Sequence, residues 1–248
     1  MGSSLLDEVL RPDSLRATFQ PVFDETCAAW PHHMEGLIRG PQGTNAERPD
    51  ILFEYVRRKR AEPEVDRACV RAVLLAARWL PIGVSIGINV HTATLAADLE
   101  FLNYLGDLLT ETYIAPEHIV VELLEHGQPW NQDAFLLSVE GLRSIGARVA
   151  LDDFGTGQTN YRMLLECRPD YLKVDRGLVH GCHADPRRQA FLDSMAALAE
   201  RIGARVVAEG IEQPEDLARV SAAGIGLLQG YLLGKPALAQ TWTPLLCA

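Results

Sequence analysis

Short apolar runs alternate along the chain with longer segments in which apolar residues recur at helical spacing. One of the longer segments opens at Asp185-Pro186 and closes at Gly203, which are typical start and stop signals of a helix. The short runs give eight candidate strands at residues 18–23, 34–39, 84–90, 118–123, 148–152, 171–174, 205–208 and 226–232. Strands that alternate with helices predict either a doubly wound sheet or a (β/α)8 barrel.

Polar or charged side chains stand at or near the ends of seven of these runs, and they favour the barrel. They are Glu35, Asn89, Glu122, Asp152, Lys173, Glu209 and Gln229. In a barrel the carboxyl ends of the strands meet at one face, whereas an open sheet spreads them along an edge. We therefore predict the α/β class, with a (β/α)8 TIM-like barrel over residues 16–248 and an N-terminal extension over residues 1–15.

The connection between the first two runs predicts one irregularity in this barrel. Only residues 24–33 separate the runs, which is too short for a comfortable helical crossover between parallel strands. One antiparallel strand is therefore expected in the barrel.

Composition excludes several classes of protein. The 248 residues suit one barrel domain, and 48% hydrophobic with 23% charged residues is ordinary for a folded globular chain. No apolar stretch is long and uncharged enough to span a membrane. The five cysteines are scattered without zinc-ligand spacing, which favours reduced thiols in a cytoplasmic protein. A net charge of -10 argues against a nucleic acid polymer as partner.

Two adjacent aspartates, Asp152 and Asp153, end an apolar run in the stretch VALDDFGTG. Neighbouring carboxylates repel, and burying both costs several kcal/mol or captures a proton unless a cation neutralises them. They can share a site only where the strand ends and the chain turns, which Phe154-Gly155 permits. Taken alone, the pair could equally cap a helix and bind a lysine.

Two similar patterns, VELLE and VAEGIE, each place two glutamates three residues apart. In an extended chain such positions face opposite ways, so we expect Glu122 and Glu209 at the barrel mouth. Their partners Glu125 and Glu212 then lie in the following loops, with a supporting role. Each pattern alone could also be the solvated start of a helix.

The whole set of strand-end residues is more informative than its members. Glu35, Glu122, Asp152, Asp153 and Glu209 bring five carboxylates to one mouth, beside Lys173 and the neutral amide of Asn89. Lysine on a central strand needs carboxylates or an anionic substrate, and an asparagine oxygen suits Mg²⁺ or Mn²⁺. We expect about two divalent cations there, and a two-metal site favours phosphoryl chemistry.

The same residues resemble a known family. In order, FQPV, MEGLIRG, INV, VVELLE, ALDDFGTG, DYLKVD, VVAEGIE and QGYLLGKP are similar to the signatures of EAL-domain cyclic-di-GMP phosphodiesterases, from about residue 18 to residue 236. The resemblance implies a (β/α)8-type barrel with one antiparallel strand. It also implies hydrolysis of cyclic-di-GMP to linear pGpG in bacterial second-messenger signalling, dependent on Mg²⁺ or Mn²⁺, with Ca²⁺ inhibitory.

The resemblance also assigns roles to residues. It implies that the metal ligands are Glu35, Asn89, Glu122, Asp152 and Asp153. Glu209 resembles the carboxylate proposed as general base, and Lys173 the residue that holds the attacking water. Substrate-binding positions are Gln20, Leu37, Arg39 and Gln229, with Arg39 suited to a phosphate. Glu125 and Glu212 match residues that support the loop after the aspartate pair.

Three departures from the family pattern accompany these matches. Gly36 stands between Glu35 and Leu37, where the family has alanine. The loop reads GTGQTN, where an aromatic residue and two serines are usual, and the common His-Pro pair after Arg39 is missing. These differences affect regulation more than chemistry, and Gln158 could alter loop closure or dimer coupling.

Two other functions are weighed against this one. The first is a receptor that binds cyclic-di-GMP without cleaving it, which usually lacks some of the carboxylates. The second is an aldolase-like barrel with a Schiff base on Lys173, which needs a lowered lysine pKa that nearby carboxylates would instead raise. A homodimer, and fusion to sensory domains in a longer protein, are further expectations from the family.

Overall fold

The computed structural model describes residues 4–124, 131–155 and 161–246. Eight strands close into a barrel in sequence order, as predicted. They are β1 (Arg16–Asp24), β2 (Cys27–Arg39), β3 (Ser85–His91), β4 (Ile119–Leu124), β5 (Arg148–Phe154), β6 (Tyr171–Val174), β7 (Arg205–Ala208) and β8 (Leu227–Leu228). The strand ends therefore converge at one face.

The predicted antiparallel strand is β1. It pairs antiparallel with both β2 and β8, whereas the other neighbouring strands pair in parallel. Only Glu25 and Thr26 join β1 to β2. The side chain of Asp24 accepts hydrogen bonds from the backbone N–H and the hydroxyl of Thr26, at 2.9 and 2.6 Å, which stabilises this tight connection.

Eleven helices belong to the described part of the chain. They are α1 (Leu5–Val9), α2 (Pro49–Lys59), α3 (Glu62–Ala77), α4 (Thr92–Ala97), α5 (Phe101–Thr112), α6 (Gln132–Ser144), α7 (Tyr161–Cys167), α8 (Arg176–Val179), α9 (Pro186–Ile202), α10 (Pro214–Ala222) and α11 (Ala239–Leu246). The side chain of Asp185 caps α9, and Gly203 ends it in a left-handed conformation, as the sequence pattern predicts. No helix among these residues is both long and apolar enough to cross a membrane.

The strand prediction is wrong at the ends of several runs, most of all where β2 begins at Cys27 instead of residue 34. His118 lies in a short 3-10 turn, and the strand begins at Ile119. The last run, 226–232, contains only the two-residue strand β8, because the chain turns beyond Gln229. The division into an extension and a barrel stays a prediction, although Val9 of α1 is buried in the main core.

The barrel interior is closed below its mouth by a small apolar layer. It consists of Val22, Val120, Ala150, Tyr171, Val207 and Leu227, all buried. Because alternate residues of a strand face the same side, the next inward positions of β4, β5 and β6 are Glu122, Asp152 and Lys173. The apolar layer therefore forms the floor beneath a polar mouth.

Candidate metal centre at the barrel mouth

Lys173 stands at the centre of the polar mouth and is 1% exposed. Its Nζ lies 2.7 Å from Glu209 Oε1, 3.3 Å from Glu35 Oε2 and 3.4 Å from Asp152 Oδ1. It also donates a short hydrogen bond to Glu122 Oε2. Four of the predicted carboxylates thus surround one ammonium group, so the predicted convergence of these strand ends is confirmed, whereas their roles stay predictions.

Two amides hold Glu35 in place within this cluster. Asn89 Nδ2 donates to Glu35 Oε1 at 3.2 Å, and Gln229 Nε2 donates to Glu35 Oε2 at 2.6 Å. Gln20 lies on the neighbouring strand and donates to the carbonyl of Gly234 at 3.0 Å. Both Glu35 oxygens therefore have donors, and the carboxylate is fixed before any ligand binds.

The aspartate pair occupies a distorted strand end. Asp153 has a φ of 52°, in the left-handed region that non-glycine residues rarely adopt, and its N–H donates to Asp152 Oδ1 at 2.9 Å. This turn brings both side chains to one side. One oxygen from each of Asp152, Asp153 and Glu209 lies within 4.8 Å of the others. The two aspartates therefore lie on one side of the strand end, as predicted, at a modest cost in backbone strain.

The electrostatics of the cluster favour added positive charge. Burial raises the pKa of Glu122 to about 8, with Glu35 adding to the effect. Burial also raises the pKa of Glu209 well above its ordinary value, and that of Asp153 to about 6. The pKa of Glu35 is lowered despite burial, because Lys173 and the two amides stabilise its charge. One lysine therefore does not balance these carboxylates.

The pKa of Lys173 is itself raised well above its ordinary value, because the four surrounding carboxylates outweigh its burial. A Schiff base requires a neutral amine. The aldolase-like alternative is therefore disfavoured.

The donor set fits divalent cations. Carboxylate and amide oxygens are the ligands that Mg²⁺ and Mn²⁺ prefer. Glu122 Oε1 is buried without a hydrogen-bond partner among the described residues, which is costly unless something binds it. Cations bound to the other oxygen of Glu122 and to the neighbouring carboxylates would supply the counter-charge that one lysine does not provide.

Two cavities adjoin the carboxylates and share Glu35 and Asp152 in their walls. The first, of about 210 Å³, is lined partly by Leu37 and Arg39. The second, of about 220 Å³, contains Gln20, Gln229, Lys173 and Glu209. The predicted substrate-binding residues therefore all border the site, on two sides of the carboxylate cluster.

Sequence reasoning missed two residues of the second cavity, Arg176 and Tyr231. Arg176 opens α8 one residue after β6 ends, and its guanidinium lies 3.0 Å from Glu212. A basic residue just beyond a strand end could have indicated Arg176 from the sequence as a residue of this cavity. The supporting role of Glu212 stays a prediction. Glu125 and Gln158 lie outside the described residues.

Gly36 and Val73 fit each other across β2 and α3. A Cβ atom on Gly36 would lie 2.3 Å from Val73 Cγ1 and 2.9 Å from Cγ2. Valine in a helix is held largely to one rotamer, so its methyl groups cannot easily move away. The glycine found in place of the family's alanine therefore compensates for a branched residue on the neighbouring helix.

Replacing Gly36 with alanine is expected to lower the free energy of unfolding by about 1–3 kcal/mol through overpacking. In the double variant Gly36→Ala/Val73→Ala the loss should be smaller than the sum of the two single losses, because the clash disappears. Urea unfolding of the three variants measures this coupling. Strictly additive losses would contradict the fit.

Comparison with known proteins agrees with this geometry. The family model described as "EAL domain" matches residues 4–236. The probable cyclic di-GMP phosphodiesterase PdeN of Escherichia coli K12 is 30% identical over 257 residues, covering 95% of this chain and 46% of PdeN. The bifunctional diguanylate cyclase/cyclic di-GMP phosphodiesterase MucR of Pseudomonas aeruginosa is 28% identical over 220 residues, covering 87% of this chain and 31% of MucR.

A solved structure has the same fold. The manganese/cyclic-di-GMP complex of BlrP1 from Klebsiella pneumoniae superposes with a TM-score of 0.81 at 28% identity, covering 93% of this chain and 58% of that one. The chain thus spans less than half the length of PdeN or MucR.

Proposed function

Because the chain belongs to the EAL domain family, we propose that it is a phosphodiesterase that hydrolyses cyclic-di-GMP to linear pGpG with Mg²⁺ or Mn²⁺. The observation that carries the proposal is the cluster of four carboxylates around the buried Nζ of Lys173. Similarity to PdeN and to the BlrP1 complex supports the same substrate.

The proposed metal ligands are Glu35, Asn89, Glu122, Asp152 and Asp153. Divalent cations bound there would supply Lewis acidity toward the phosphodiester and lower the pKa of a coordinated water. They would also reverse the sign of the local charge, so that an acidic mouth in a chain of net charge -10 can accept an anion. Glu35, held by two amides, is the most preorganised of the set.

The proposed proton acceptor is Glu209, and the proposed holder of the attacking water is Lys173. Their Oε1 and Nζ atoms are 2.7 Å apart, so one water molecule can hydrogen-bond to both. Burial raises the pKa of Glu209, and cations bound beside it would stabilise the charged form that a proton acceptor needs. Lys173 keeps its own charge and orients the water.

The two cavities support a substrate with two halves. Cyclic-di-GMP would place its scissile phosphate over Glu35 and Asp152, with one nucleoside toward each cavity. We propose Gln20, Leu37, Arg39 and Gln229 as its binding residues. Arg39 offers a guanidinium to a phosphate, and Leu37 an apolar contact to a base.

Three features of the wider protein are part of the proposal. We propose a cytoplasmic location, which the free thiols of Cys27, Cys69, Cys167 and Cys182 support. We propose fusion to sensory domains, which the greater length of PdeN and MucR supports. We also propose that the protein is a homodimer. A monomeric mass in light scattering, with and without ligand, would contradict this.

Chromatography of cyclic-di-GMP incubated with the protein tests the function. We expect pGpG in Mg²⁺ or Mn²⁺, no product in EDTA, inhibition by added Ca²⁺, and no product from the Glu35→Ala variant. Calorimetry on the same samples measures binding, and so distinguishes the enzyme from a receptor that binds cyclic-di-GMP without cleaving it. Binding of cyclic-di-GMP without product in any metal would make the protein a receptor.

A further inference from the structure

Two successive histidines on β2 point to the same side of the strand. Neighbouring strand residues normally face opposite sides. Here Val22 pairs with His33 and Phe23 pairs with Pro31, so His32 is the extra residue of a β-bulge. The bulge turns the two rings together, and their Nδ1 atoms are 2.9 Å apart.

These rings belong to a column of polar groups beneath the metal centre. Arg148 Nη1 lies 3.3 Å from the Tyr171 hydroxyl, which lies 3.4 Å from His32 Nε2. At the upper end, His33 Nε2 lies 3.8 Å from Glu122 Oε1. His33 stands two residues before Glu35, and Tyr171 two before Lys173, so both share the inward face of those residues.

The hydrogen-bond donor at the lower end of the column fixes which way each of its hydrogen bonds is donated. An arginine can only donate, so Arg148 donates to the Tyr171 oxygen, and the hydroxyl hydrogen is available for His32 Nε2. A neutral His32 then carries its proton on Nδ1 and donates it to Nδ1 of His33. His33 in turn carries its proton on Nε2, which faces Glu122. The contact between the two Nδ1 atoms needs a lone pair on one ring, so the two rings cannot both be doubly protonated.

Glu122 has one oxygen available for this donor. Oε2 is bonded to Lys173, whereas Oε1 is buried without a hydrogen-bond partner among the described residues. Gly87 makes room for it, since a Cβ there would lie 2.1 Å from Oε1. The 3.8 Å separation from His33 is longer than a hydrogen bond, so the bond requires Oε1 to turn toward the ring.

We propose that His33, held as the Nε2–H tautomer by His32 and Tyr171, is the positioning residue for Glu122. Its N–H binds Oε1 and directs Oε2 toward the cations. Partners of this kind orient ligating groups, and their loss typically costs 10–100-fold in metal affinity. The role at Glu122 rests on the proposed function, whereas the tautomer does not.

Nitrogen NMR of the metal-free protein with ¹⁵N-labelled histidine tests the column directly. We expect two neutral rings at pH 7, with the proton on Nε2 of His33 and on Nδ1 of His32. The His33→Gln variant identifies the His33 signals. A proton on Nδ1 of His33, or a doubly protonated ring there, would overturn the proposal without any reference to hydrolysis.

Manganese titration of two variants tests the positioning role. His33→Leu should bind Mn²⁺ about 10–100-fold more weakly than the wild type. His33→Gln, whose amide keeps a donor near the Nε2 position, should stay within about threefold of the wild type. Circular dichroism and thermal unfolding show whether both variants fold.

The outcomes separate the two proposals. Unchanged Mn²⁺ affinity in folded His33→Leu, with hydrolysis by the wild type, would overturn the positioning role alone. An equal loss in His33→Gln would also overturn it, since the donor would then not matter. A wild-type protein that binds no Mn²⁺ would overturn the proposed function and the role at Glu122 together.

Discussion

Replacing Lys173 with methionine is expected to destabilise the metal-free protein by about 3–5 kcal/mol, the range for removing one partner of a buried ion pair. The substitution leaves Glu35, Glu122, Asp152 and Glu209 around a neutral side chain. Mn²⁺ should then restore more stability to the variant than to the wild type, because it supplies the missing charge. Urea unfolding in EDTA and in Mn²⁺ measures both effects.

The stability lost on replacing Lys173 with methionine should also depend on pH. A carboxyl whose pKa is higher in the folded than in the unfolded state stabilises the protein at low pH, and this contribution disappears as pH rises through the folded value. For Glu122 the window runs from its ordinary 4.5 to about 8. Without Lys173 the decline should be steeper, so the variant should lose less stability at pH 5 than at pH 8.

Lys59→Met is the matched control, since Lys59 is exposed on α2. It should change stability by less than about 0.5 kcal/mol. A Lys173→Met variant as stable as this control in EDTA would contradict the view that Lys173 stabilises the buried carboxylates of the metal-free protein.

The second large effect is expected from Asp152→Asn, which should lower hydrolysis of cyclic-di-GMP by at least about 100-fold. That figure is the upper end of the cost of losing an outer-shell partner, and a direct ligand should cost no less. The amide keeps the shape of the side chain, and its oxygen can still accept the 2.9 Å hydrogen bond from the N–H of Asp153. Initial rates at saturating Mn²⁺ measure the loss.

The stability of Asp152→Asn should be unchanged or higher in EDTA. The substitution removes one of the four carboxyl groups within 3.4 Å of Lys173 Nζ, and crowded carboxylates destabilise the folded state. Asp193→Asn, at an exposed ion pair with Arg219, is the control and should keep full activity. Activity lost together with stability would indicate a structural role for Asp152.

The barrel and the identity of its mouth were predictable from the sequence for physical reasons. A strand buried on both faces is a short apolar run, and a functional side chain interrupts that run at its carboxyl end. Lys173 within YLKV and Glu122 within VVEL are such interruptions. The carboxyl ends of the strands of a barrel meet at one face, so the position of the site followed from the predicted fold.

The contacts between distant residues were not predictable. The contact of Lys173 with four carboxylates depends on the register of several strands. A local sequence pattern does not give that register. The bulge at His32 depends on pairing with β1. The fit of Gly36 to Val73 joins positions 37 apart, and it turns an apparent departure from the family into a packing requirement.

Anomalous diffraction at the manganese absorption edge, from crystals grown with Mn²⁺ and cyclic-di-GMP, would locate the metals directly. We expect two peaks about 4 Å apart at the barrel mouth, contacted by oxygens of Glu35, Asn89, Glu122, Asp152 and Asp153. Lys173 Nζ should have moved away from Glu122. The absence of peaks at the mouth, with Nζ still in contact with all four carboxylates, would contradict a metal-dependent phosphodiesterase.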